Sequence, residues 1–553
     1  MSVELIRLLM ARKEGLGRIA SHLLFPIFIG NFITIAVSGL MFIAIARLLG
    51  PSNYGLYTLA VSFYLLIDSV GNLGIGSYFN RYLAEYTDSG KTEKIGQTVI
   101  SGYIVLLIVG SLLTLLALAI SPYFANVLYR STGISTLTLR LASIAIFFFI
   151  ASGSTYSALI GIRKGKLAAL VSVVTNVSEF IIAVGLVYLG YGVDGALAGL
   201  VLGYVFGVFV GLIALYRSLR ELIPGALRFH VAKELRNALS FSLPLAGKNF
   251  LANFTYYAAV LVLGLYVSTA VVGNYGTAIR GVGLLQVVYG NVTTVLLPTF
   301  SIALARMVKR RGSRASKPRG SEISAMYDKT IFFSLLISLP LVIYIGAMSK
   351  PLIFLFLGSK YTLAPFYLTL IAAGVVMNMI GLYTSSLFVA GGYIIKALKY
   401  ELIADILALA SLFLLVPYIG AVGSIIAVFF IGSLAGTCLF ASGASRLFGA
   451  RLRVGRIARM LAAGLVFGAI LYATTLVAIN YHTLPGMAEA AGTLLLGVIL
   501  SVLLLPVFLV ASGAASMEDA RYLRHATRRL FFAGRMFSYI TAYMEFLVAR
   551  IGR

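Results

Sequence analysis

Ionisable and amide side chains inside apolar runs are the residues of this chain that could do chemistry, because a charge kept in lipid is expensive and functional sites are where it is kept. Lys248 and Arg280 lie deepest, about ten and about eight residues into their runs, with Asn249 and Asn253 beside Lys248. Arg47 closes the first run on one side of the membrane, and Arg81 closes the second on the other. A cation facing lipid at mid-depth costs about 2.5–3.5 kcal/mol on insertion scales, and less if it faces a hydrated cleft. Arg forks onto phosphate oxygens and Lys meets them as a point charge. The set Arg47, Arg81, Lys248, Arg280, Asn249 and Asn253 therefore predicts a site for an anionic phosphate or sugar-phosphate head group. Two other readings stay open: Arg47 and Arg81 as interfacial anchors, and Arg280 snorkelling outward. Tyr54, Tyr57, Tyr64, Tyr78, Tyr256, Tyr257 and Tyr275 could stack on sugars, or belt the membrane interface.

The acids inside the runs are Asp68, Glu179, Glu401 and Asp405. Buried acids carry protons, bind sodium or pair with Lys and Arg. Asp68, Glu179 and Asp405 are the candidates for coupling to H+ or Na+. The four histidines (His22, His230, His482 and His525) are scattered near run ends. No catalytic, metal or nucleotide motif is legible, so neither an enzyme nor a cofactor is expected. The one cysteine, Cys438, leaves no intrachain disulfide.

These residues must be positioned by membrane helices. Of 553 residues, 60% are hydrophobic and 11% charged, with mean hydropathy +0.99. Apolar runs of about 20 residues, enough to cross a bilayer, recur throughout. Helices span because they satisfy their own backbone hydrogen bonds. Spans are expected near 23–46, 55–79, 98–120, 137–162, 168–190, 194–216, 239–265, 272–305, 330–350, 362–388, 397–417, 420–445, 459–481 and 490–512, about fourteen in all. The first run is a full span, not the short apolar core of a signal peptide.

The net charge of +26 would suit nucleic acid, but the cations fall in alternate loops. The N-terminal tail and the even-numbered loops hold most Lys and Arg, while the odd loops hold Arg47, Arg130, Arg140, Lys350 and Lys360. By the positive-inside rule both termini are cytoplasmic, in a multi-pass plasma-membrane protein. The expected organisation is a basic amphipathic N-terminus at 1–22, an N-lobe of spans 1–6 at 23–216 and a cytoplasmic linker at 217–238. A C-lobe of spans 7–12 follows at 239–445, then spans 13–14 at 459–512 and a basic amphipathic tail at 516–553. The segment 309–321 reads as a flexible linker, and the tail as surface helices or a partner-binding segment.

Two copies of one unit are visible. Gly30–Phe32 reads GNF with NYG at Asn53–Gly55; Lys248–Phe250 reads KNF with NYG at Asn274–Gly276; the spacings are about 22 and about 25 residues. Tyr191–Ala196 (YGVDGA) matches Tyr418–Ser424 (YIGAVGS), Gly192 and Gly195 repeating as Gly420 and Gly423. Glu179 and Asp405 fall within about two residues of each other in the copies. The fold class is thus all-α and polytopic, two parallel six-helix repeats plus two extra C-terminal helices. Such repeats suit an alternating-access transporter with its site in a cleft between them.

The stretch Ala46–Tyr86, ARLLGPSNYGLYTLAVSFYLLIDSVGNLGIGSYFNRYLAEY, resembles the first loop and second span of the polysaccharide-transporter family. These are the Wzx-type flippases of the multidrug/oligosaccharidyl-lipid/polysaccharide exporter superfamily. Arg47, Leu49, Gly50, Tyr54, Gly55, Asp68, Asn72, Leu73, Gly74, Arg81, Ala84 and Glu85 carry the pattern. The resemblance implies a flippase for undecaprenyl- or dolichyl-(pyro)phosphate-linked oligosaccharide, working as a monomer among membrane lipids. It carries Arg47 and Arg81 into the phosphate site by motif, whereas Lys248 and Arg280 rest on placement alone. Spans 13 and 14 match the longer family form, in which the extra helices make a groove for a lipid tail. The alternatives are a multidrug cation antiporter of the same superfamily, which favours an acidic cleft, and a polytopic enzyme acting on lipid-linked sugars.

Overall fold

The computed structural model describes residues 3–71, 75–222, 247, 250–251, 253–283, 296, 300–301, 304, 320–481, 486–514, 516–517, 519, 521 and 542–550. Side chains at 3–28, 70–71, 320–322 and 478–481 fall outside that set. So do most of the 217–238 and 309–321 linkers, the side chains of the N-terminal segment, and residues 522–541 of the tail.

Among the described residues, the apolar runs are helical. Helix α1 is Val3–Gly71, followed by α2 Ile75–Tyr78, α3 Ala84–Asp88, α4 Thr92–Tyr123, α5 Thr136–Gly161, α6 Gly165–Leu186 and α7 Gly192–Leu222. Helix α8 is Asn253–Tyr266 and α9 covers 269–283. Then come α10 Gly320–Ala347, α11 Ser349–Leu357, α12 Ala364–Ala390, α13 Ile394–Ile425, α14 Ser433–Phe448, α15 Val454–Tyr481 and α16 Gly486–Ala511. Among the described residues, nine segments are long and apolar enough to cross a membrane, and three of them run to 41, 58 and 55 residues. Each of those three holds two spans, which brings nine to twelve. The described parts of spans 7 and 8, α8 and α9, bring the total to fourteen.

The long segments turn at glycines. Gly50 breaks α1 with φ 70° and ψ 175°, and Pro51 opens the second half, where a missing N–H costs nothing. Gly192 (φ 55°, ψ −132°) and Gly420 (φ 55°, ψ −130°) make the same left-handed turn in the two copies, a conformation that only glycine adopts without strain. The repeat read from short motifs is therefore a repeat of backbone geometry.

Register between the copies shifts by one residue around this turn. A π-turn spans Val187–Tyr191 in the first copy, just before the glycine, and Ile426–Gly432 in the second, just after it. A π-turn accommodates one extra residue in a helix. The offset is 228 between Gly192 and Gly420, and 229 on either side. The packing contacts agree: Gly203 lies against Glu179 and Gly432 against Ala408, both pairs at the larger offset. Asp405 thus corresponds to Asn176, and Glu401 to Ser172.

Contact density divides the chain into Met1–Gly273 and Asn274–Arg553. In the first unit α7 presents Gly199, Gly203, Gly207 and Gly211, one every four residues, to α6 and α5. A Cβ at Gly199 would come 2.3 Å from the backbone nitrogen of Ala183, and one at Gly203 would come 2.5 Å from the Cβ of Glu179. A Cβ at Gly207 would come 1.9 Å from the Oγ1 of Thr175. Small residues let membrane helices approach this closely. On the other face of α6, Gly30 of α1 abuts Ala169, Thr34 Oγ1 hydrogen-bonds Ser172 Oγ at 3.0 Å, and Ser38 Oγ donates to Asn176 Oδ1 at 2.9 Å. Helix α6 is thus held between small and hydroxyl-bearing neighbours.

In the second unit the NYG motif is structural. Asn274 Oδ1 accepts from Leu363 N at 3.1 Å and from Ala364 N at 2.9 Å, satisfying amides at the start of α12. Tyr275, fully buried, hydrogen-bonds Ser424 Oγ at 2.9 Å. Helices α15 and α16 lie against α10, with Tyr344 Oη donating to the Leu494 carbonyl at 2.9 Å. Arg456 pairs with Asp519 and lies 3.6 Å from the centre of the Phe332 ring, tying the start of the tail to α15 and α10.

The glycine ladder carries a prediction. Gly199→Val places a branched side chain where the Ala183 backbone lies, so overpacking of about 1–3 kcal/mol should lower the thermal midpoint of the detergent-purified protein. Gly153→Val, where a Cβ meets nothing within 4 Å, is the control expected to leave it unchanged.

Candidate functional site

Close approach of α6 and α7 sets up a cavity of about 500 Å³ inside the first unit, bordered by α1, α2, α5, α6 and α7. That volume is within the range of ligand pockets, about 300–1,000 Å³. Its wall is unusually polar for a membrane domain. Helix α5 supplies Ser152, Ser154, Tyr156 and Ser157; α6 supplies Ser172, Thr175, Asn176 and Glu179; α7 supplies Tyr204; the second half of α1 supplies Asp68. Phe149 of α5 adds an aromatic surface, its ring 5.2 Å from Tyr204 at 70° and 6.0 Å from Tyr64 at 68°. Among the described residues, neither Lys nor Arg lines the cavity.

The local sequence explains the lining. Ser152 and Tyr156 recur at four residues, as do Ser172 and Asn176, so each helix shows a polar stripe on one face. One lining hydroxyl returns its proton to the preceding turn: Thr175 Oγ1 donates to the Val171 carbonyl at 2.8 Å. A hydroxyl donating in this way keeps its acceptor lone pairs for something else.

The two carboxylates differ in how they are held. Glu179 is 5% exposed, opposite Gly203 on α7. Asp68 is 6% exposed, and its Oδ1 has no hydrogen-bond partner among the described residues. Buried polar atoms are almost always satisfied, and an exception in a cavity wall points to a ligand, water or ion. The carboxylates accept hydrogen bonds, the hydroxyls and Asn176 both donate and accept, and the aromatic rings offer apolar faces.

The structure brings together Asp68 and Glu179, two of the three acids singled out for ion coupling. Asp405 belongs to the other unit, half-buried on α13. Arg47 is exposed just before Gly50, Asn253 is exposed at the start of α8, and Arg280 is exposed on α9. Arg81 is exposed in the π-turn Phe79–Leu83, its guanidinium carbon 5.4 Å from the centre of the Tyr82 ring. Lys248 and Asn249 lie outside the described residues. Reading by charge missed Tyr156, Ser172, Thr175, Asn176 and Tyr204. Their signal was available as polar residues at helical spacing opposite a glycine every four residues.

Comparison with known proteins follows this geometry. A family model described as "Polysaccharide biosynthesis protein" matches residues 24–304, just over half the chain. Stage V sporulation protein B of Bacillus subtilis (strain 168) is 24% identical over 234 residues, which is 40% of this chain and 44% of that protein. The match thus spans less than half the length of that relative. Among solved structures, a lipid II flippase MurJ in an inward closed conformation aligns with TM-score 0.65 at 15% identity, covering 87% of this chain and 97% of that one. An inward-facing multidrug resistance MATE family transporter of the MOP superfamily aligns with TM-score 0.60 at 17% identity, covering 75% and 94%. At these identities the structural likeness shows the fold alone.

Asp68 gives the site its own test. Replacing a buried carboxylate whose Oδ1 has no partner among the described residues by a neutral amide removes a desolvation cost, so Asp68→Asn should raise the thermal midpoint of the purified protein by a few degrees. A lowered midpoint would mean that the carboxylate is held by an interaction beyond the described residues.

Proposed function

The chain belongs to the polysaccharide biosynthesis protein family, and from that premise we propose that it flips a lipid-linked oligosaccharide from the cytoplasmic to the outer face of the membrane by alternating access. The observation that carries this reading is the family match over residues 24–304. A fold shared with a lipid II flippase over 87% of the chain supports it. The substrate class is a polyprenyl or dolichyl (pyro)phosphate sugar.

The proposed division of labour follows the chemistry of the side chains. Arg47, Arg81, Lys248 and Arg280 meet phosphate oxygens, and Asn249 and Asn253 hydrogen-bond the adjoining sugar. The apolar tail stays in lipid. With both termini in the cytoplasm of a plasma-membrane protein, an inside-negative potential drives an anionic head group outward, by about 2.3 kcal/mol per charge per 100 mV. No bond is made or broken, so this is transport without catalysis or cofactor, carried out by a single chain. Asp405 is left as the coupling candidate of the second unit, for H+ or Na+.

A multidrug cation antiporter is the second reading. The fold shared with a multidrug resistance transporter favours it, as does the Asp68–Glu179 cavity. Against it, span 1 carries no Asp or Glu, whereas a cation exporter places acids along its path.

Reconstitution in vesicles carrying a fluorescent polyprenyl-diphosphate oligosaccharide tests the flippase reading. Wild-type protein should expose the label to an external quencher, and Lys248→Ala and Arg280→Ala should abolish exposure at unchanged membrane expression. Wild-type rates in both variants would remove the two residues from the site.

A further inference from the structure

Spans 13 and 14 are joined at one surface of the membrane, where α15 ends at Tyr481 and α16 begins at Gly486. A second cavity, of about 250 Å³, lies there between α11, α15 and α16. Helix α11 contributes Lys350 and Phe354, α15 contributes Thr475, and α16 contributes Gly486, Glu489 and Thr493. Gly486 lies so close to the Phe354 ring that a Cβ would come 3.1 Å from its Cζ. The lining is mostly apolar but carries two opposite charges, an exposed Lys350 and a half-buried Glu489. Among the described residues neither belongs to an ion pair. Thr475 and Thr493, both buried, donate their protons to the Tyr472 carbonyl at 2.7 Å and the Glu489 carbonyl at 2.8 Å. Each keeps oxygen lone pairs for another donor.

Size and charge narrow the occupant. Pockets for drug-sized ligands measure about 300–1,000 Å³, so an oligosaccharide is too large. A cavity of about 150 Å³ in another protein takes a benzene ring, and on that scale this one takes about ten non-hydrogen atoms. An anion alone would meet Glu489, a cation alone would meet Lys350, and a neutral group would bury both charges without a partner. A small group carrying a phosphate and an ammonium side by side satisfies both. Tyr472 and Val477 of α15 and Met487 of α16 are exposed beside the cavity, and on a spanning helix such surfaces lie against acyl chains. We infer that the cavity lined by Lys350, Phe354, Thr475, Glu489 and Thr493 is a head-group site for an aminophospholipid, a membrane lipid with a phosphate and a primary ammonium. Phosphate oxygens meet Lys350 Nζ, the ammonium donates to the Glu489 carboxylate and the two threonine oxygens, and the chains lie along α15 and α16. The three N–H donors of a primary ammonium match these three acceptors, which a trimethylammonium cannot use. The bound lipid ties α11 to α15 and α16, independently of what the transporter moves.

Native mass spectrometry of the full-length protein in detergent tests this by titrating phosphatidylethanolamine, phosphatidylcholine and phosphatidylglycerol with matched chains. Phosphatidylethanolamine should bind about tenfold more tightly than the other two, which leave one of the charge-assisted contacts unmade. Lys350→Ala and Glu489→Gln, each checked by thermal midpoint for a folded state, should lower that affinity about tenfold. Lys360→Ala, at an exposed cation just after α11, should leave it unchanged. Wild-type affinity in both cavity variants would overturn the site, and equal binding of the three lipids would overturn it as unselective annular contact. Preference for phosphatidylglycerol would overturn the zwitterion and leave an anion site of Lys350 alone. Soluble glycerophosphoethanolamine, added as competitor, should displace the lipid only weakly. Displacement as efficient as by the lipid itself would overturn the lipid as occupant in favour of a free zwitterion.

Discussion

The close approach of α6 to α7 is the constraint on which the first unit depends. Glycines at four-residue spacing bring the two backbones nearer than any side chain would allow. In lipid the hydrophobic effect contributes little to helix association, so packing and interhelical hydrogen bonds must hold the bundle. The ladder supplies the packing, and the Thr34–Ser172 and Ser38–Asn176 pairs hold the opposite face of α6 to α1. With α6 fixed on both sides, its polar stripe meets the stripe of α5, and the cavity lies where they meet.

Backbone satisfaction sets the remaining limits. Within the membrane the chain can break its helices only where freed polar groups find partners. Between consecutive spans it turns at Gly50, Gly192 and Gly420, and π-turns absorb one residue each. The register set by those π-turns fixes which residues correspond in the two copies. The acid of the first copy, Glu179, corresponds to Ala408, while the acids of the second, Glu401 and Asp405, correspond to Ser172 and Asn176. The two copies share these glycine turns and differ in where they carry charge.

Much of this was legible in the residues alone. Apolar run length gave the membrane class and the span count. The YGVDGA and YIGAVGS joins foretold a backbone repeat, which the identical turns at Gly192 and Gly420 bear out. What escaped was set by packing rather than by composition. A π-turn leaves no residue signature, so the one-residue register shift was invisible, and Glu179 and Asp405, read as about two residues apart between the copies, are three apart. The glycines of α7 read as generic membrane small residues until Ala183, Glu179 and Thr175 lay opposite them. Charge drew attention to Arg280 and Lys248, whereas the cavity is built mostly from uncharged hydroxyls that no charge count detects. Asn274 and Tyr275, beside Arg280 in sequence, became intelligible only as the satisfier of the α12 amides and the partner of Ser424.

The central claim is that this transporter recognises an anionic lipid carrying sugar. Thermal stabilisation of the purified protein tests it most directly, with a polyprenyl-phosphate saccharide against a lipophilic drug cation in the same detergent. The account predicts that the lipid-linked saccharide raises the midpoint, that Arg280→Ala loses the effect, and that the cation leaves it unchanged. Stabilisation by the cation alone would contradict it and make this chain a cation exporter.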